Sequence, residues 1–336
     1  MRGSAVGDST NDEILSPIGK PAPVVRFIGW ASLAVLAAFL VNNILIVWFD
    51  FPTLVSVLDG GDARVWGSLA LYVISLAGAG WWVISRSDNA LRHEARKISD
   101  FNAYLIRACF FAILFVGIAD FVIAFLRVEN LLTGLFGETA AKNLLRARFV
   151  GPYIHFPLII VAFVVARFSR TLGFQWLALL IVAAELLIVI SRFVFSYEQA
   201  LMGDLVRYWY AALFLFSSAY TLLEEGHVRV DVLYAGFKTP TKGKVNSIGT
   251  ILLGMTTCWV IIAIGMGSSH AIINAPIKNF EVSQSGTAGM FIKYQMAGFL
   301  AVFAVTMLIQ FVSYLFEAVA DARSEPGHKE HAGASA

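Results

Sequence analysis

Long apolar stretches separated by short polar ones set the pattern of this chain. Near-continuous hydrophobic runs lie at Phe27–Phe49, Val65–Ser85, Tyr104–Leu126, Val150–Phe168, Phe174–Phe195, Leu205–Leu223, Ile248–Ser268 and Phe291–Val319. A helix needs about 20 predominantly apolar residues to cross the hydrocarbon of a bilayer, so the pattern predicts an all-α integral membrane protein with about eight transmembrane helices. Tryptophans support the edges. Trp30 and Trp48 bracket the first run, and Trp66 and Trp81–Trp82 the second, a belt spacing of roughly 27 Å at 1.5 Å per helical residue. The link Arg170–Thr171–Leu172–Gly173 is short enough to predict that the fourth and fifth runs are antiparallel neighbours. Between residues 127 and 148 the pattern changes. Leu131, Leu132, Leu135, Phe136, Leu144 and Leu145 recur at helical spacing among basic residues, which reads as an amphipathic helix lying in an interface.

The runs divide the chain into a polar tail at 1–26, a first block at 27–170, a second at 174–320 and a tail at 321–336. Each block holds about four runs by the span-length rule, but residue-level comparison of the two finds no repetition beyond what any two apolar helices give.

Composition sharpens the picture. Of 336 residues, 58% are hydrophobic and 14% charged, against about 25% charged in a soluble domain. That argues against a soluble enzyme or a disordered chain. A net charge of +2 offers no broad basic face to a phosphate backbone, so nucleic acid is not an expected partner, whereas lipid is. Cys109 and Cys258 sit inside apolar runs and read as small core hydrophobes. Met1–Val25 has no short apolar segment behind a basic start, which argues against a cleaved signal peptide. For an even number of spans, both tails and the connections after the second, fourth and sixth runs share one side. That side carries about twice the Lys and Arg of the other, which places both termini in the cytoplasm.

Ionisable groups within apolar runs are costly and mark candidate chemistry. Asp120 lies in the third run, Glu185 near the middle of the fifth, and Asp204 with Arg207 at the start of the sixth. Glu185 and Asp120 read either as ion or proton sites or, more plainly, as hydrogen-bonded carboxyls packed against another helix or subunit. Asp204 and Arg207 are spaced for a local ion pair. Arg107 near its span end reads as snorkelling. Pro152 and Pro157 interrupt the fourth run, but no span in the other block matches, so the paired broken helices of a self-sufficient carrier are not evident. A stand-alone carrier or channel using Glu185 remains one alternative. A haem-bearing membrane anchor using His155 and His270 is another, although no paired histidine spacing supports it. No phosphate-binding loop is present, and no nucleophile or carboxylate arrangement has a spacing that argues for an enzyme. No cofactor or metal is implied.

The most informative stretch runs from Ala219 through Tyr220, Thr221 and Leu222 to Gly226-His227-Val228-Arg229-Val230-Asp231-Val232-Leu233-Tyr234. With it go Arg192-Phe193-Val194-Phe195, then Glu281-Val282-Ser283 with Gly289, and Gln310. Together these resemble the DctQ-like small membrane subunit of tripartite ATP-independent periplasmic (TRAP) transporters, over about 174–320. The family often carries a Glu-containing, Trp-rich entry to its second core helix, where this chain has Asp204, Arg207, Tyr208 and Trp209. The resemblance implies a four-helix DctQ-like core in the second block and an amino-terminal extension of extra helices in the first. It implies a small permease subunit without enzymatic activity in a bacterial inner membrane. Its partners would be a large M-type membrane subunit and a periplasmic substrate-binding protein. The large subunit would take up an organic acid on a Na+ or H+ gradient. His227, Arg229 and Asp231 would form the signature cytoplasmic turn that meets that subunit. Asp120, Glu185, Asp204, Arg207 and Gln310 would be intramembrane polar contacts.

Overall fold

The computed structural model describes residues 17–57, 62–170, 173–197, 200–223, 234, 236–283 and 285–327. Among these, the regular structure is helical apart from an isolated antiparallel bridge between Ile18 and Asn89. The helices are α1 (Pro23–Phe49), α2 (Arg64–Ser85), α3 (Leu91–Val128), α4 (Leu132–Leu144), α5 (Ala147–Phe168), α6 (Phe174–Val194), α7 (Ala200–Leu223), α8 (Thr239–Met266), α9 (Asn274–Asn279) and α10 (Lys293–Ala322). In lipid the backbone must satisfy its own N–H and C=O groups, which a helix does within one segment.

Seven of these helices, α1, α2, α3, α5, α6, α8 and α10, are long and apolar enough to cross a membrane. The remaining predicted run lies on α7, whose 24 residues reach about 36 Å at 1.5 Å per residue. It is more polar because Asp204, Tyr208 and Trp209 are all buried on its inner side. The fold is therefore the all-α polytopic bundle that the hydropathy predicts.

α3 is the pillar of the bundle. It packs against α5, α7 and α10, and α10 in turn packs against α1, α3, α7 and α8. One apolar core joins Ile106, Phe110 and Val116 of α3 to Tyr208, Trp209 and Phe216 of α7 and Phe299 of α10. A second joins Leu36 of α1, Leu91 and Ile98 of α3, Ile262 of α8, and Leu308 and Phe316 of α10. Both cores draw on residues from 27–170 and from 174–320. α2 rests on α1, with Trp30 and Trp82 in contact at 5.6 Å between ring centroids.

Two details depart from the sequence reading. The proline pair does not break α5. The helix stays continuous by widening into a π-turn over Gly151–His155, which absorbs the loss of backbone donors. And α5 and α6 are not close neighbours despite their short link. α5 packs on α3, and α6 packs on α7 with only a light touch on α3. The turn between them passes against α3 at Gly173, where φ is +83° and a side chain would begin 3.3 Å from the Phe110 Cβ. Glycine takes that backbone conformation without strain. The segment expected to be amphipathic forms a helix, α4, kinked at Gly137.

Candidate functional site

Polar groups are concentrated along the α3–α10 seam in three layers, and each layer ties segments distant in sequence. At one end Arg26 of α1 is fully buried and forks onto Glu94 of α3 at 2.9 and 2.6 Å. Trp30 Nε1 and Asn89 Nδ2 each donate to the same carboxylate at 3.1 Å. Beside it Arg92 bonds Glu317 and Asp321 of α10, each at 2.6 Å. In the middle Asn102 donates to the Thr306 carbonyl at 2.9 Å and to Gln310 Oε1 at 3.2 Å, while Gln310 Nε2 donates to Ser99 at 3.0 Å. Gln310 is thus an interhelical bond, the use that transmembrane helices make of buried amides.

The third layer lies at the other end of the seam, about 39 Å from Glu94 along α3 at 1.5 Å per residue. It is centred on Asp120, which is fully buried. Its Oδ2 accepts the Phe291 backbone N–H at 2.6 Å, and its Oδ1 lies 3.2 Å from His155 Nε2 of α5. The other ring nitrogen, Nδ1, is 2.8 Å from the Tyr294 hydroxyl of α10. Gln295 Nε2 donates to that hydroxyl at 3.0 Å, and Tyr208 of α7 donates to Gln295 Oε1. A neutral His155 with its proton on Nε2 lets every group donate toward Asp120. The carboxyl is then the terminal acceptor of a chain from Tyr208 through Gln295, Tyr294 and His155. Such chains polarise one another in a low-dielectric interior.

The object held by this layer is the 281–292 segment. Phe291 is fixed by Asp120, and Met290 N–H donates to Asp204 Oδ2 at 3.0 Å. Ser283 Oγ donates to the same Asp204 oxygen at 2.9 Å. Arg127 of α3 donates from Nε to the Thr287 carbonyl at 2.7 Å and from Nη2 to the Gly289 carbonyl. Its guanidinium carbon stands 3.9 Å from the centroid of the Phe291 ring, a cation–π contact. Glu281 closes the segment with an ion pair to Lys293 at 2.8 Å. Gly289 lies where a Cβ would run into the Asp204 carboxylate and Ser283 Oγ. The Glu281-x-Ser283…Gly289 pattern therefore has a physical meaning. Ser283 feeds the carboxylate, and Gly289 leaves room for it.

Asp120, Asp204 and Gln310 are buried and hydrogen-bonded as above. Asp204 and Arg207 approach at 3.8 Å, but Arg207 is largely exposed, so the principal partners of Asp204 are the 281–292 segment and not its own helix. Arg107 reaches the Ala166 carbonyl at the end of α5 at 3.4 Å. Glu185 is exposed on the outer side of α6, and no partner for it occurs among the described residues. His227, Arg229 and Asp231 lie outside the described residues. Sequence reasoning missed Arg127, Tyr294 and Gln295, and weighed His155 only as a haem ligand. A polar cluster at a proline-flanked turn was the available signal. Both ring nitrogens of His155 are engaged, which leaves none for a haem iron. Among the described residues no group of three or more His, Cys, Asp or Glu side chains is placed to hold a metal ion. Where Tyr197 follows α6, its phenol donates to Glu129, and this bond to the carboxylate pushes the phenol above its ordinary range.

Fold and site together define a polytopic helical membrane protein whose buried polar groups brace one segment against another. Residues 181–321 match the family model described as tripartite ATP-independent periplasmic transporters, DctQ component. This part of the chain is similar to the DctQ component, and helices long and apolar enough to cross a membrane precede it. The match runs from Ile181 in α6 through α7, α8 and the 281–292 segment to Asp321 at the end of α10. No curated protein and no solved structure matches the chain.

Proposed function

We propose that this chain is the small permease subunit of a TRAP transporter and that it braces the large membrane subunit during gradient-driven uptake of an organic acid. The observation that carries this reading is the DctQ match over 181–321. The geometry supports it: the polar side chains of the α3–α10 seam are spent on holding helices and the 281–292 segment in place. On this reading a periplasmic binding protein delivers the substrate and the large subunit moves it. The present chain enlarges the fixed scaffold with its DctQ-type core and its amino-terminal helices. It resides in a bacterial inner membrane with both termini in the cytoplasm, and its His227, Arg229 and Asp231 turn meets the large subunit on that side.

The test is reconstitution in proteoliposomes with an imposed Na+ or H+ gradient. Binding protein, large subunit and this chain together are expected to accumulate the organic acid, and omission of this chain is expected to abolish uptake. Full uptake without it overturns the reading. Uptake by this chain alone would establish a carrier in its own right.

A further inference from the structure

α6 differs from every other long helix in how little of it the chain covers. Only Leu177 and Ile181 are buried on it. Leu179, Val182, Leu186, Val189 and Phe193 are all largely exposed, and at spacings of three and four residues they form one stripe. Glu185 stands on that stripe. It is the twelfth of the 21 residues of α6, so each end of the helix is roughly 14–17 Å away at 1.5 Å per residue. A glutamate side chain reaches only about 5 Å, too short to carry its carboxyl to the headgroups as lysine or arginine would. An ionisable group held in hydrocarbon without a hydrogen-bonding partner is among the costliest arrangements a membrane helix adopts. The other thinly covered helix, α2, shows the contrast. Its exposed side carries Val73, Ile74, Leu76 and Trp81, and no ionisable side chain except a tyrosine follows Arg64 before its end at Ser85. That is a plain lipid-facing surface. Glu185, unlike α2, also lies within the matched DctQ segment.

We infer that the exposed stripe of α6 centred on Glu185 is the seat of the large membrane subunit, which meets this carboxyl with a cationic or hydrogen-bond-donating side chain in mid-membrane. The inference rests on the small-subunit reading above and adds to it the face that is used. The charge complement is the reason for choosing a protein helix. The acyl chains at this depth offer no donor, and a second copy of this chain would bring a second carboxyl, not a cation.

The experiment uses the full chain co-expressed with the large subunit of its transporter and isolated in mild detergent. A photo-crosslinking amino acid is placed at Val182 on the stripe or, as control, at Ile74 on α2. Glu185→Leu and Glu185→Gln are compared with the unaltered chain for recovery of the large subunit, identified by mass. The expected result is crosslinking to the large subunit from position 182 and not from position 74. Recovery should fall at least tenfold with Glu185→Leu and stay within about twofold with Glu185→Gln, which keeps a hydrogen-bonding amide. Each variant is also melted alone, and Glu185→Leu should melt as the unaltered chain does. Recovery of the Glu185→Leu complex at full yield overturns the inference. So does crosslinking from position 182 to lipid alone or to a second copy. In those cases the unaltered complex still upholds the small-subunit reading. If the unaltered chain recovers no large subunit, both fall.

Discussion

α10 and α6 both satisfy the length and hydropathy of a membrane span, yet the chain treats them in opposite ways. In its most apolar 18-residue window 56% of α10 is buried inside the molecule, against 11% for α6. The difference follows from what each helix offers its neighbours. α10 presents Tyr294, Thr306, Gln310, Ser313, Glu317 and Asp321, and each is bonded to α3, α5 or the helix backbone. α6 presents one ionisable group at mid-span, Glu185, and nothing among the described residues meets it. Lipid tails are as apolar as leucine, so burial between membrane helices is won by packing and hydrogen bonds and not by hydrophobicity. The polar groups named on the buried helix thus find neighbours inside the chain, whereas Glu185 on the uncovered helix finds none among the described residues.

That contrast can be broken by substitution. The largest loss is expected from Asp120→Leu, which strands the Phe291 N–H and His155 in a dry site. The isolated chain should lose about 3–5 kcal/mol, seen as a lower melting temperature in detergent and release of the 281–292 segment to proteolysis. Arg26→Ala removes the partner of the buried Glu94 carboxylate and belongs to the same range, about 3–5 kcal/mol. The same melt checks it. Gly289→Ala forces a methyl group against Asp204 and Ser283 and should cost about 1–3 kcal/mol. Hydrogen exchange at Met290 and Phe291 should rise with it. Gln310→Leu deletes interhelical bonds that average about 0.6 kcal/mol in such settings, so its melting shift should be small. Glu185→Leu should leave the isolated chain within about 0.5 kcal/mol. A large loss there would show that α6 is held within the chain after all.

Much of the architecture was legible before any coordinates. The eight apolar runs became eight long helices. The basic, leucine-studded segment after α3 became α4, and the motif residues lie within the segment that matches the DctQ model. The site was legible only in part. Asp120, Asp204 and Gln310 stood out as polar groups in apolar runs, but their partners did not. Asp204 looked paired with Arg207 because i,i+3 spacing is visible along a helix. Its bonds to Ser283 and Met290 cross from one end of the second block to the other. Arg127 looked like a loop charge, since the register at which α3 meets the 281–292 segment leaves no trace in hydropathy. The short link before α6 suggested an α5–α6 pair, but the long α3 offers each helix a different surface.

Sequence alone was enough to read a helical membrane protein, its eight long apolar runs and the family that its second block resembles. These follow from local quantities, namely run length, apolar content and motif spacing, and a bilayer enforces them on each segment separately. The tertiary structure alone shows which helices touch, that Asp120, His155 and Tyr294 meet, and that Glu185 meets no partner among the described residues. Apolar helices are nearly interchangeable to lipid. Their arrangement is therefore set by close packing and by matched polar pairs between segments far apart in the chain, and no reading of one segment at a time contains that information.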